Sequence, residues 1–77
     1  MNGRLPTVTG GKVMDALKRA GFVVVRTSGS HHRLVHKDDA SRATTVPIHK
    51  GKDLPRGLVR KIINDAGLTV DEFRALL

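Results

Sequence analysis

Phe22-Val23-Val24-Val25-Arg26-Thr27-Ser28-Gly29-Ser30-His31-His32-Arg33-Leu34-Val35-His36 is the stretch whose reading organises the rest of the chain. It opens with β-branched residues, stiff at χ1 and suited to extended backbone. A Ser-Gly-Ser turn follows, and the chain reads as extended again from His31 to His36. The pattern predicts a tight hairpin, its first strand running from Phe22 to Arg26 or Thr27 and its second from His31 to His36. Three of the four histidines of the chain lie here. His31 and His32 would stand just past a glycine, where an imidazole is held rigidly yet stays within reach of a ligand.

Upstream, residues 3–8 read as an extended lead-in. Thr9 is suited to cap a helix running to about Ala20, with Val13, Ala16, Leu17 and Ala20 on one face. Lys18 and Arg19 suit its negative end, and Gly21 supplies the left-handed stop. Gly10 and Gly11 are no phosphate loop, since no strand precedes them and no Gly-Lys-Ser/Thr follows. Downstream, Lys37 to Arg42 reads as a polar connection and Ala43 to Ile48 as a third strand, which Pro47 ends or confines to a sheet edge. Asp53 reads as the N-cap of a helix to about Ala66, with Pro55 in its first turn. Leu58, Ile62 and Ala66 form its apolar row, flanked by Val59 and Ile63. Thr69 and Glu72 have capping-box spacing for a short last helix carrying Phe73, Leu76 and Leu77.

Connections this short favour an antiparallel meander with the histidine strand in the middle. The expected fold is α+β, in the order α-β-β-β-α with a short extra C-terminal helix. A three-stranded antiparallel sheet has its helices on one face, in a single domain over residues 1–77. This is the layout of a double-stranded-RNA-binding domain, and fold alone does not give function.

Composition bounds the partners. Fourteen Lys and Arg against seven Asp and Glu leave a net charge of +7 on 77 residues. That excess favours a polyanion, either nucleic acid or an acidic protein, over a merely solubilising surface. With no Tyr or Trp and only Phe22 and Phe73 as aromatics, base stacking is a poor expectation. A nucleic acid would be gripped by its phosphates and sugars. There is no cysteine, no run long enough to span a bilayer and no apolar signal block in Met1 to Pro6. The chain reads as soluble and cytoplasmic, with no membrane partner.

Neighbouring residues of a strand point to opposite faces, so His31 and His32 cannot both serve one site on a regular strand. His32 shares a face with Leu34 and His36, and His31 shares one with Arg33 and Val35. With Leu34 inward, His32 sits at the edge of the core. His32 and His36 stand about 13 Å apart along a strand, too far to share an ion, and no carboxylate completes a set. No metal and no cofactor is expected. General acid–base work needs a single imidazole, titrating near neutral pH. In RNA cleavage a base takes the 2′-OH proton and an acid protonates the leaving 5′-oxygen, while nearby cations stabilise the phosphorane. Arg26, Arg33, Lys50, Lys52 and Arg56 are the candidate RNA-binding cations. The residues alone leave this open against the commoner role of surface histidines bonded to the turn. Ser28 and Ser30 are weak nucleophile candidates, lacking an acidic partner to orient a base.

The pieces Ala20-Gly21-Phe22, Gly29-Ser30-His31-His32, Val46-Pro47-Ile48-His49-Lys50-Gly51-Lys52-Asp53-Leu54, Gly57 through Ile62-Ile63, and Ala66-Gly67-Leu68 follow in an order and spacing that resemble the HicA family. These are toxins of type II toxin–antitoxin systems. The resemblance covers nearly the whole chain, although Met1 to Pro6 is a longer lead-in than the family needs. It implies a double-stranded-RNA-binding-like fold, metal-independent mRNA cleavage, growth inhibition and neutralisation by a HicB antitoxin. The family's catalytic histidine lies in a Gly-Ser-x-His string. The resemblance therefore carries that role to His32, with Gly29, Ser30 and His31 as its neighbourhood, and transfers no second catalytic residue. A non-catalytic RNA-binding module of the same fold is the alternative.

Overall fold

Thr9 starts the first helix, α1 (Gly10–Arg19), its side-chain oxygen accepting the Lys12 N–H at 3.2 Å. A capping oxygen of this kind satisfies one of the N–H groups that a helix leaves without an internal partner. Val13, Ala16 and Leu17 are buried from this helix, and Lys18 and Arg19 occupy its last turn. The computed structural model describes residues 4–77, so the Gly3 end of the lead-in lies outside the described residues. Within the lead-in, Leu5 and Val8 are both core residues, a packing role that the sequence pattern does not announce.

The sheet is the expected meander. β1 (Phe22–Ser28), β2 (His31–His36) and β3 (Asp39–Pro47) pair antiparallel in the order β1-β2-β3, with the histidine strand in the middle. Gly29 and Ser30 alone connect β1 to β2, and Gly29 has φ +58° while Ser30 keeps a negative φ. Glycine at the first position of a two-residue loop is the signature of the mirror-image turns whose twist matches paired strands.

Boundaries of β3 and α2 differ from the sequence reading. β3 begins at Asp39 rather than Ala43, so the polar connection shrinks to Lys37 and Asp38. The Asp39 carboxylate accepts both the backbone N–H and the hydroxyl of Ser41, at 3.1 and 2.6 Å. A register shift opposite Val35 and His36 lets the strand continue. Polar residues hide this part of the strand because it is an edge whose side chains face solvent. Pro47 is the last strand residue, and Ile48 lies outside, its N–H donating to the Ser30 carbonyl at 2.8 Å.

The second correction concerns α2 (Arg56–Asp65). Asp53 is not its cap. It forms a bridge with Thr9, and the next residue, Leu54, donates its N–H to the Val8 carbonyl at 2.8 Å. Pro55 occupies the cap position without a side-chain hydrogen bond. Burying Leu54 against the lead-in thus holds residues 53–54 extended and delays the helix. α2 buries Val59, Ile62 and Ile63, while Leu58 is only half-buried. α3 (Val70–Leu76) begins with the full reciprocal capping box between Thr69 and Glu72 and buries Phe73.

Phe22, Leu34 and Val46, one from each strand, meet the helices in a single apolar cluster with Leu5, Leu17, Val59, Ile62 and Phe73. The opposite side of the sheet leaves Val23 and Val25 exposed. Arg42 ties the sheet to the helices. Its Nε donates to the Ala66 carbonyl at 2.8 Å, and its guanidinium lies 5.5 Å from the Phe22 ring centroid.

Candidate functional site

The direction of α1 relative to β2 sets the site's position. At the C-terminal end of α1, the Ala20 carbonyl meets His36 Nε2 at 3.1 Å. At its N-terminal end, Gly10 packs so closely on Pro47 and Ile48 that a Cβ would collide with the Pro47 carbonyl. Pro47 pairs with His31 and Val46 with His32. The hairpin tip, the start of α1 and the chain leaving β3 therefore share one end of the molecule. His36 lies at the other end.

His32 lies on the helix-covered side, paired between Thr27 and Val46, and is half-buried. Its Nδ1 is sealed from solvent with no hydrogen-bond partner; among the described residues only Thr44 Oγ1 shares that condition. Buried polar atoms without partners are uncommon and cost stability, so such an atom asks for an explanation. His36, on the same face, is fully used. Its Nδ1 accepts the Asp38 N–H at 3.1 Å, which makes Nε2 the donor to Ala20, and its ring stands edge-on to Phe22 at 5.2 Å. Structural bonding explains His36. It does not explain His32.

His31 is exposed on the other side. A shallow cleft there is lined by Val25, Arg26, Ser28, His31, Arg33 and Thr45. Alternation from the buried Phe22 would turn Arg26 toward the helices. The ladder instead slips between Val24 and Arg26, so that Arg26 stands directly opposite Arg33. An extra residue of this kind re-aims the side chains that follow it. Arg33 donates to Thr45 Oγ1 at 3.1 Å. Thr45 and the slip at Val25 were invisible in the sequence, because both depend on register.

The remaining predicted cations separate. Lys50 and Lys52 are exposed on the segment that leaves β3, at the hairpin-tip end, where the Lys52 N–H closes a turn on the His49 carbonyl at 3.0 Å. Arg56 is occupied elsewhere: its Nε donates to the Leu5 carbonyl at 3.0 Å and it reaches Thr7 Oγ1 at 3.4 Å. That arginine holds the lead-in against α2. Among the described residues no three His, Cys, Asp or Glu side chains are grouped to hold a metal ion. Nor is any described helix long and apolar enough to cross a membrane.

A family model described as the HicA toxin of bacterial toxin–antitoxin systems matches residues 10–68. The chain belongs to the HicA toxin family. The HicA match runs from the first residue of α1 past the end of α2, and it includes the hairpin with both histidines. Membership makes the protein a toxin of a bacterial toxin–antitoxin pair, with an antitoxin as its partner. No curated protein matches the chain.

Proposed function

We propose that this HicA toxin is an endoribonuclease that cleaves mRNA by metal-independent acid–base catalysis at His32, and that a HicB-type antitoxin neutralises it. The observation that carries the reading is the state of His32: half-buried at the hairpin tip, with Nδ1 sealed and unpartnered. Packing restrains the ring and leaves Nε2 as the nitrogen for substrate. Nε2 removes the 2′-OH proton, and the 2′-oxygen attacks the adjacent phosphorus. The protonated imidazole then gives its proton to the leaving 5′-oxygen, so one histidine closes the cycle. The products are a cyclic 2′,3′-phosphate and a free 5′-hydroxyl. Lys50 and Lys52, at the same end of the sheet, stabilise the extra negative charge of the phosphorane.

Expression of wild type and of His32→Ala, followed by growth and by RNA integrity, tests the assignment. Wild type arrests growth and fragments mRNA; His32→Ala does neither, and His31→Ala stays toxic. Equal toxicity of wild type and His32→Ala would remove His32 from the mechanism. Salt-sensitive RNA binding without cleavage products under any condition would instead establish a non-catalytic RNA-binding module. The antitoxin works by covering His32 and bringing carboxylates to the basic surface, which a complex leaving His32 open to solvent would refute.

A further inference from the structure

Arg26 and Arg33 are cross-strand partners. Directly opposed side chains stand about 4.5–5.5 Å apart at Cβ, and like charges so placed destabilise a sheet. Regular alternation would have separated this pair, and the slip after Val24 is what creates it. Ser28, His31 and Thr45 add hydroxyl and imidazole groups to the cleft that holds both guanidiniums, and the one carboxylate of the adjoining cleft on the Arg33 side, Asp65, is paired with Lys61 at 2.9 Å. The bond from Arg33 to Thr45 Oγ1 steadies one of the two cations in advance. Two forked cations held together against their repulsion, among neutral hydrogen-bonding groups, match a phosphate better than a point contact does.

We infer that the Arg26–Arg33 cleft, on the sheet face away from the helices, binds one backbone phosphodiester of the RNA. The inference deepens the ribonuclease reading and rests on it for the identity of the nucleic acid. The cleft and His32 lie on opposite sides of the same hairpin tip, since His31 and His32 are adjacent in β2. An RNA strand passing over that tip sets one phosphate between the arginines and another before His32. The cleft is thus an anchor that fixes the strand's path. It makes no contact with the reacting atoms.

The test measures binding of a mixed-sequence single-stranded 2′-O-methyl RNA, which has no free 2′-OH to react, across a salt series. Wild type, Arg26→Gln, Arg33→Gln and the double variant are compared. The double variant is expected to bind all sequences more weakly and to lower the salt slope by about 0.7, one phosphate's worth for a single strand. Arg26→Gln is expected to unfold at a higher urea concentration than wild type in low salt, because it removes half of the repelling pair and leaves the Arg33–Thr45 bond in place. An unchanged salt slope in the double variant overturns the inference. So does a slope that is unchanged while antitoxin binding weakens, which would make the cleft a protein-docking site. If inorganic phosphate at constant ionic strength strips the oligonucleotide completely, the cleft is a small-anion site and the inference also fails. Should unmodified RNA stay intact with wild type while the slope still falls by 0.7, the anchor stands and the ribonuclease reading is what fails.

Discussion

At His32 and His36, two imidazoles on one face of one strand differ in what their nitrogens touch. His36 spends both nitrogens on backbone partners and its ring edge on Phe22. Replacing it with Ala should cost about 2 kcal/mol, from two lost hydrogen bonds, without touching the proposed chemistry. Chemical denaturation and an RNA-cleavage assay on His36→Ala check both halves. His32 should behave the opposite way. Its sealed Nδ1 has no partner, so His32→Leu should keep or raise the unfolding midpoint while abolishing activity, a trade of stability for function. A lower midpoint would show that Nδ1 is not the burden assigned to it. Gly29 sets the turn between the end of β1 and the start of β2. At φ +58° an alanine there should lose about 1–2 kcal/mol, measured by the same denaturation.

Single side chains also hold whole elements in place. α3 is only seven residues long and depends on its N-terminus, where Glu72 accepts the Thr69 N–H at 2.8 Å and Thr69 accepts the Glu72 N–H at 3.0 Å. Thr69→Ala should cost about 1 kcal/mol. The Thr69 backbone N–H, with the Thr69 hydroxyl side chain, holds the Glu72 carboxyl below its ordinary value of 4.5. A depressed carboxylate binds fewer protons folded than unfolded, so its stabilisation is present above pH 4.5 and is lost as the pH falls through the lower folded value. The stability gap between wild type and Glu72→Gln should therefore narrow as the pH drops below 4.5, and a gap independent of pH would contradict this. Arg42 joins β3 to the end of α2 through the Ala66 carbonyl and stacks on Phe22. Arg42→Met keeps the apolar stem and should still cost about 1.5–3 kcal/mol, the worth of a hydrogen bond from a charged donor.

Over the whole molecule, charge and core size set the limits. A net charge of +7 is opposed, among the described residues, by two exposed ion pairs, Lys37–Asp38 and Lys61–Asp65. Exposed pairs contribute little, so self-repulsion dominates. Raising the salt should raise Tm while weakening RNA binding, opposite signs from the same screening. Calorimetry and a binding titration over one salt range test this together. Small domains have little core to spare. Leu5, buried at 1 % exposure, should cost roughly 2–5 kcal/mol when cut to Ala, a larger loss than any surface change. That outcome would show the lead-in to be part of the fold.

Much of this was legible in the chain itself. Helical periodicity, the β-branched runs, the Gly29 turn, the Thr9 cap and the Thr69–Glu72 box are local signals, each decided by neighbours within four residues. They sufficed for element order, the meander and the placing of His32 beside Leu34. Where the sequence reading failed, the deciding contact came from far along the chain. Leu54 is drawn out of α2 by Val8, forty-six positions away, and Asp39 joins β3 by pairing with His36 across a register shift. The same holds for the candidate site. A string such as Gly29-Ser30-His31-His32 marks where an imidazole stands. Only packing decided that His32 Nδ1 is sealed, that His36 is spent on Ala20 and Asp38, that Arg56 is tied to Leu5, and that one extra residue in β1 sets Arg26 against Arg33. Register and burial are properties of pairs of distant segments, and no single segment carries them.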